Sequence, residues 1–391
     1  MKIGIIANGF TGATLPLAQH LVENGHHVDC YYLVFKGTKM IESLDFEKSV
    51  DGSKIITINK TNQIYSYLNQ SINIHILPNY PVFRRHKAML IGYLRKIRNN
   101  SSMKRYAGEI ISKKYDVLFV VIHTENEIQL CRYFKDADIP FVVAFHEVLK
   151  NHLNNRELKP VINHALELNT DIIVHSERTK KDILEHCINK TTENRIHVIP
   201  FGAFESYTSY TIQETNDFPK DYFLYLGRIT PYKGIKHLYE AFANDERLKD
   251  FYVVVAGKGN DEILTKIENH PQFTLLNKYV SNQDLVNLMA HCRAVICPYL
   301  SASQSGLVQT ATVFHKPVIA TKVGAFSEII TEGYNGFLAE PGDSKSLADA
   351  IMRFTTSAIQ KDGACYLPSS FQWKNIVEQY EIIFQKLFSD K

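Results

Sequence analysis

The chain predicts two α/β units in tandem, each built on a parallel sheet, and three observations predict it. Short apolar runs bounded by Gly, Pro, Asn or charge alternate with helix-period segments along the 391 residues. Such alternation implies parallel strands covered by helices on both faces. A polar, aperiodic segment, 205–220 (ESYTSYTIQETNDFPK), divides the series near its middle and reads as a linker. The length is also too great for one ordinary core. The expected division is a first domain over 1–204, the linker, and a second domain over 221–370.

In the first half the runs read as strands at Lys2–Ala7, His27–Val34, Lys54–Ile58, Asn73–Leu77, Asp116–His123, Pro140–His146, Asp171–His175 and Arg195–Ile199. In the second they are Tyr222–Leu226, Phe251–Ala256, Phe273–Leu276, Ala294–Cys297, Pro317–Thr321 and Gly336–Ala339. Helices fill the gaps. Thr14–Val22 carries Pro16 near its first turn, where proline is tolerated. Leu285, Leu288, Met289 and Cys292 fall on one helical face behind a Ser281-Asn282 start signal.

Composition narrows the class. Hydrophobic residues make up 45% and charged residues 22%, as in a soluble globular protein. A net charge of +3 is too mild to argue for nucleic acid, so none is expected as a partner. Six cysteines are scattered, without a CxxC pair, and predict buried free thiols in a reducing compartment. MKIGIIANGF carries no signal-peptide pattern, and no apolar run approaches about 18 residues. A cytoplasmic protein is the expectation.

Chemistry concentrates at strand ends. The run Tyr222–Leu226 stops at Gly227-Arg228, and Lys233 follows beside Gly234 at the start of an amphipathic helix. Arg forks two oxygens and Lys adds a point charge, so such a loop suits a phosphate. Ligands of open α/β sheets bind at the carboxyl ends of strands. A second piece follows Pro298: the small-residue loop Ser301-Ala302-Ser303-Gln304-Ser305-Gly306, then a helix from about Leu307 to Phe314. Backbone N–H groups at that helix start favour an anion. Thr321-Lys322-Val323-Gly324 closes a third strand end. His146 and, more weakly, His123 also end strands, as binding groups do; the competing reading for either is an ordinary core histidine.

From Tyr222 to Asp343 the blocks LGRITPYKGI, VVVAGKGND, HCRAVICPY, KPVIATKVGAFSEII and GYNGFLAEPGD, in this order, resemble the retaining GT-B glycosyltransferases of family 4. Phe371-Gln372-Trp373 and the amphipathic helix after it resemble the tail of that family. The resemblance implies two Rossmann-like domains facing across a deep cleft, with residues 371–391 crossing back to the first domain. It implies that Arg228 and Lys233 bind the pyrophosphate of a nucleotide diphosphate-sugar and stabilise the leaving group. The backbone of Ser305, Gly306 and Leu307 would hold the distal phosphate and sugar. Tyr279 and Val280 would lie beside the base, and Gly257 and Gly259 near the nucleotide. Gly9 and Gly12 of ANGFTG match a glycine loop facing the donor phosphate, and His146 matches the histidine near the donor sugar. Metal and cofactor are not expected, since Arg228 and Lys233 replace the metal.

This chain departs from the family pattern at one pair of positions. The family carries two glutamates eight residues apart where this chain has Ala302 and Thr310. Ribose recognition then falls to Gln304, Thr310, Gln309 or Glu328. The resemblance also implies a glycan or lipid-linked hydroxyl as acceptor, in bacterial surface polysaccharide assembly. Arg84, Arg85, Lys87, Arg95, Lys96, Arg98, Lys104 and Arg105, interleaved with apolar residues, would rest on an anionic membrane from inside. The competing reading of this segment is a solvated helix packed on the sheet. Rival functions are a GT-B sugar-nucleotide epimerase and a catalytically silent binding subunit. A nicotinamide dehydrogenase is disfavoured, because ANGFTG lacks the three-glycine fingerprint.

Overall fold

The computed structural model describes residues 1–391 except 39, 42–43, 46–48, 53, 59–65, 81–88, 149, 152–155, 188–189, 215–217, 220, 303–304, 360–366 and 390–391. The chain divides into two compact units, Met1–Phe201 with Trp373–Lys391, and Gly202–Gln372. The division falls a few residues before the polar segment. Within that segment, Tyr207 and Tyr210 bury their rings against Val286, so 205–210 packs as part of the second unit.

In the first unit the strands are β1 (Lys2–Ala7), β2 (His27–Phe35), β3 (Met40–Ile41), β4 (Leu44–Asp45), β5 (Ile56–Thr57), β6 (Asn73–Asn79), β7 (Val117–Val121), β8 (Phe141–Phe145), β9 (Lys150–Asn151), β10 (Arg156–Glu157), β11 (Ile172–Val174) and β12 (Ile196–Val198). Eight of them form one sheet in the order β12-β11-β8-β7-β1-β2-β6-β5. All pair in parallel except β5, which runs antiparallel to β6 and departs from the parallel expectation. It is a two-residue exposed edge strand, so no crossover helix is needed to reach it. β3–β4 and β9–β10 are small hairpins outside the sheet. The helices are α1 (Thr11–Glu23), α2 (Met89–Ser112), α3 (Glu125–Asp136), α4 (Lys159–Leu166) and α5 (Glu177–His186).

Burial on both faces follows from the continuous apolar strands. Along β1, Ile3, Ile5 and Ala7 pack with Leu15 of α1 and with Ile376 and Phe384 of the C-terminal helix Trp373–Ser389. Ile6 points the other way, toward Met103, Ile110 and Phe134. Local signals start the helices. Thr124 and Glu127 form a reciprocal capping box before α3. Ser176 caps α5 by accepting from Thr179 N. The Asp136-Ala137-Asp138 pair ends α3, with Asp138 in the left-handed region at φ 53°.

The second unit is a six-stranded, wholly parallel sheet: β13 (Tyr222–Leu226), β14 (Tyr252–Ala256), β15 (Phe273–Leu276), β16 (Ala294–Cys297), β17 (Val318–Thr321) and β18 (Gly336–Ala339). Their order is β15-β14-β13-β16-β17-β18, the doubly wound arrangement. Helices α6 (Ile235–Asn244), α7 (Ile263–Glu268), α8 (Asn282–His291), α9 (Gly306–Val313), α10 (Phe326–Ile329) and α11 (Ser344–Thr355) cover it. Phe223 and Tyr225 bury against one helical layer, Tyr222, Leu224 and Leu226 against the other. Each sheet reverses its winding beside its first strand, between β1 and β7 and between β13 and β16. Loops at the carboxyl ends of those strand pairs are where ligands of such sheets bind.

Among the described residues no helix is long and apolar enough to cross a membrane. Five cysteines are free and buried; Cys365 lies outside the described residues.

Candidate functional site

In the second unit β13 delivers Gly227 and Arg228 to the winding reversal, and a short 3-10 turn, Pro231–Lys233, carries the second cation back over it. Lys233 Nζ donates to Tyr299 Oη at 2.8 Å and lies 4.5 Å from the centre of that ring. Tyr299 follows β16, so this contact bridges the two strands that flank the reversal. Gly234 is what lets the loop close: its φ is 67°, and a Cβ there would fall 1.8 Å from Pro298 O. Leu300 N donates to Tyr232 O at 2.7 Å and ties the same two loops.

The electrostatics are one-sided. Arg228 is exposed, and neither it nor Lys233 has a carboxylate partner within 4.0 Å among the described residues. Lys233 is only half-buried as a residue, yet its ammonium is desolvated and pushed down to about 8; nearby Arg228 pushes the same way. The Tyr299 phenol is buried and held well above its ordinary range, so it stays protonated and neutral. A cation with a neutral acceptor and no counter-charge leaves room for an anion.

The helix start lies beside this pair. Ser305 caps α9 by accepting from Leu307 N at 3.3 Å, and its side chain faces the Tyr299 hydroxyl. Gly306 packs under Phe204, where a Cβ would fall 2.4 Å from the ring. Thr310 is buried and its Oγ1 donates to Gly306 O at 2.8 Å, so the hydroxyl is engaged with its own helix. Gln309 is buried with Oε1 unpartnered among the described residues. Gln304 lies outside the described residues. Gly257 ends β14, and Tyr279, 63% exposed, follows β15 with Val280. These residues share the carboxyl edge of one parallel sheet, with Tyr279 and Val280 two strands from Arg228.

Gly9, Gly12 and His146 lie in the first unit. Gly9 (φ 84°) and Phe10 (φ 59°) turn the chain from β1 into α1, whose buried first turn holds Gly12. His146 follows β8 and is enclosed by rings: Phe10 stacks on it at 3.3 Å and Phe201 at 4.5 Å, with His175 4.9 Å away. Burial pushes the His146 imidazole well below its ordinary value, and His175 and His123 nearby push the same way. It is a neutral imidazole at pH 7.

Sequence reading missed Tyr299, Phe10 and His175. All three lie just beyond or at the end of a strand, the feature that singled out His146. A phenylalanine in a glycine loop and a tyrosine after Pro298 carry no sign of what they touch.

Comparison with known proteins agrees with this geometry. Two doubly wound units, with a cationic strand-end site in the second, define the GT-B class of glycosyltransferase folds. The whole chain superimposes on Anabaena HepE solved with UDP-glucose (TM-score 0.63, 17% identity, 100% of both chains). Residues 8–203 match the glycosyltransferase family 4 profile and residues 211–362 that of glycosyl transferases group 1. The chain belongs to glycosyltransferase family 4. It is 24% identical over 264 residues to an uncharacterised glycosyltransferase of Methanocaldococcus jannaschii, covering 64% of this chain and 69% of that protein. With the capsular polysaccharide biosynthesis glycosyltransferase CapM of Staphylococcus aureus it shares 25% over 244 residues, 56% of this chain and 63% of CapM.

Proposed function

We propose that the protein transfers a sugar from a nucleotide diphosphate-sugar to a hydroxyl of a glycan or lipid-linked acceptor, with retention, in surface polysaccharide assembly. The observation that carries this reading is the desolvated Lys233 ammonium, held by a neutral phenol beside exposed Arg228 at the winding reversal. A diphosphate is the anion that two such cations and a helix start fit together. HepE, solved with UDP-glucose, and the capsular role of CapM support the donor class and the pathway.

In this reading Arg228 and Lys233 bind the diphosphate and stabilise its charge as the bond to the sugar breaks. The acceptor hydroxyl attacks the face the diphosphate leaves, and a leaving phosphate oxygen takes the proton. Positioning supplies much of the rate, and a carboxylate nucleophile is not required. Calorimetric titration with UDP, GDP and ADP tests the donor site. Each of Arg228→Ala and Lys233→Ala should weaken the best ligand by about 2 kcal/mol, roughly thirtyfold. Unchanged binding in the double variant would exclude this site.

The surface of α2 supports a membrane-facing role. Tyr93, Leu94 and Ile97 are 64%, 52% and 48% exposed. They lie beside Lys96, Arg98 and Lys104, all exposed, while Met103, Tyr106 and Ile110 form the packed face. Residues 84, 85 and 87 of the basic segment lie outside the described residues. Co-sedimentation with anionic vesicles should fall on Lys96→Glu with Arg98→Glu. Retention of full binding by that variant rejects the membrane role.

A further inference from the structure

In the first unit two buried imidazoles have a nitrogen with no protein partner among the described residues: His146 Nε2 and His175 Nε2. Each residue is 4% exposed, and such buried polar atoms are normally satisfied. His175 Nδ1 lies 2.8 Å from Ile199 O. A carbonyl only accepts, so Nδ1 carries the proton and Nε2 of the neutral ring is an acceptor awaiting a donor. His175 is held neutral by burial, its value pushed down to about 4.

The two rings are fixed relative to each other. Their centres lie 4.9 Å apart, and Phe201 stacks on both, at 4.5 Å from His146 and 3.8 Å from His175. Both border one small cavity of about 10 Å³, lined also by Leu17, Phe119, Val121 and Pro200 and by the hydroxyl-bearing Thr14 and Tyr380. That volume is about one water's worth, and the two residues with unpartnered buried nitrogens both line it, which meets a buried water's need for polar partners.

We propose that His175 is a positioning residue for His146, acting through a single buried water that donates to His175 Nε2 and bonds His146 Nε2. The Ile199 carbonyl sets the His175 tautomer, His175 orients the water, and the water fixes the His146 ring. Because Nε2 of His146 is the buried nitrogen, Nδ1 is the one left to meet a substrate. The step that uses it rests on the proposed glycosyl transfer.

The test has one arm that needs no substrate. Long-range proton–nitrogen spectra of the full chain, labelled at histidine nitrogen, should show His175 neutral with the proton on Nδ1 from pH 8 down to 5.5. His175→Phe should move the His146 nitrogen resonances. His175→Gln, which places a polar atom near the old Nε2 position, should restore them. In transfer assays the Phe variant should lose about tenfold in kcat with donor KM unchanged, and the Gln variant should recover it. A His175 cation at pH 6, the opposite tautomer, or unmoved His146 resonances in a folded Phe variant would overturn the proposal. If His175→Phe does not fold, the wild-type tautomer and the Gln variant still decide. Transfer activity that is absent while the spectra behave as stated would count against the proposed function, not against this linkage.

Discussion

At the residue scale the Lys233–Tyr299 contact places a desolvated ammonium against a neutral phenol. Since burial holds the ammonium near 8, an anion that needs the protonated form should bind less tightly as pH rises through about 8. The sign is fixed: below that value the charge is present, above it the charge is lost. Calorimetry with UDP at pH 6.5 and 9 checks this, and Lys233→Ala should flatten the dependence. Tyr299→Phe removes the side-chain acceptor of the ammonium among the described residues. It should weaken the ligand by about 1 kcal/mol and move the loss to lower pH. The family's two glutamate positions are Ala302 and Thr310 in this chain. Neither is acidic, and Thr310 spends its hydroxyl on Gly306 O.

At the element scale the loops between strand and helix, not the strands, carry the constraint. Gly234→Ala puts a side chain at φ 67° and against Pro298 O, so it should destabilise by about 1–3 kcal/mol and displace Lys233. Chemical denaturation and UDP binding would report the two effects separately. The parallel strands were legible because each is an uninterrupted apolar run between glycines, prolines and charges, as Tyr222–Leu226 and Val117–Val121 show. Ile56–Thr57 was not legible as antiparallel, because a two-residue exposed edge has no periodicity to read. Arg228, Lys233 and Ser305 could be found from spacing, since charge and capping are local. The ring cluster of Phe10, His146, His175 and Phe201 could not, because it gathers four separate loops across the edge of one sheet.

At the scale of the whole molecule each unit has its own core, so ligand effects should be lopsided. A nucleotide at 100 times its Kd stabilises the unit that binds it by about 2.7 kcal/mol. Hydrogen exchange should therefore slow across β13–β18 on adding UDP and much less in β1–β12. Removing 373–391 should have the reverse pattern. Tyr380 packs edge-on against Phe119 at 5.3 Å, and Phe384 lies 6.3 Å from the same ring. Loss of that helix uncovers the part of one face that α1 does not cover and should lower the first unit's thermal midpoint while UDP still binds.

That helix has a consequence for the order of assembly during synthesis. The second unit, 202–372, is an insertion between the two parts of the first. When residue 201 leaves the ribosome, the first sheet is complete but one of its faces has α1 and still lacks the second helix that packs there. Everything needed by the second sheet arrives before that helix does. The half of the protein that is made first is thus the half that is finished last, and an apolar face covered only in part, by α1, must wait through the synthesis of 171 residues, from Gly202 to Gln372.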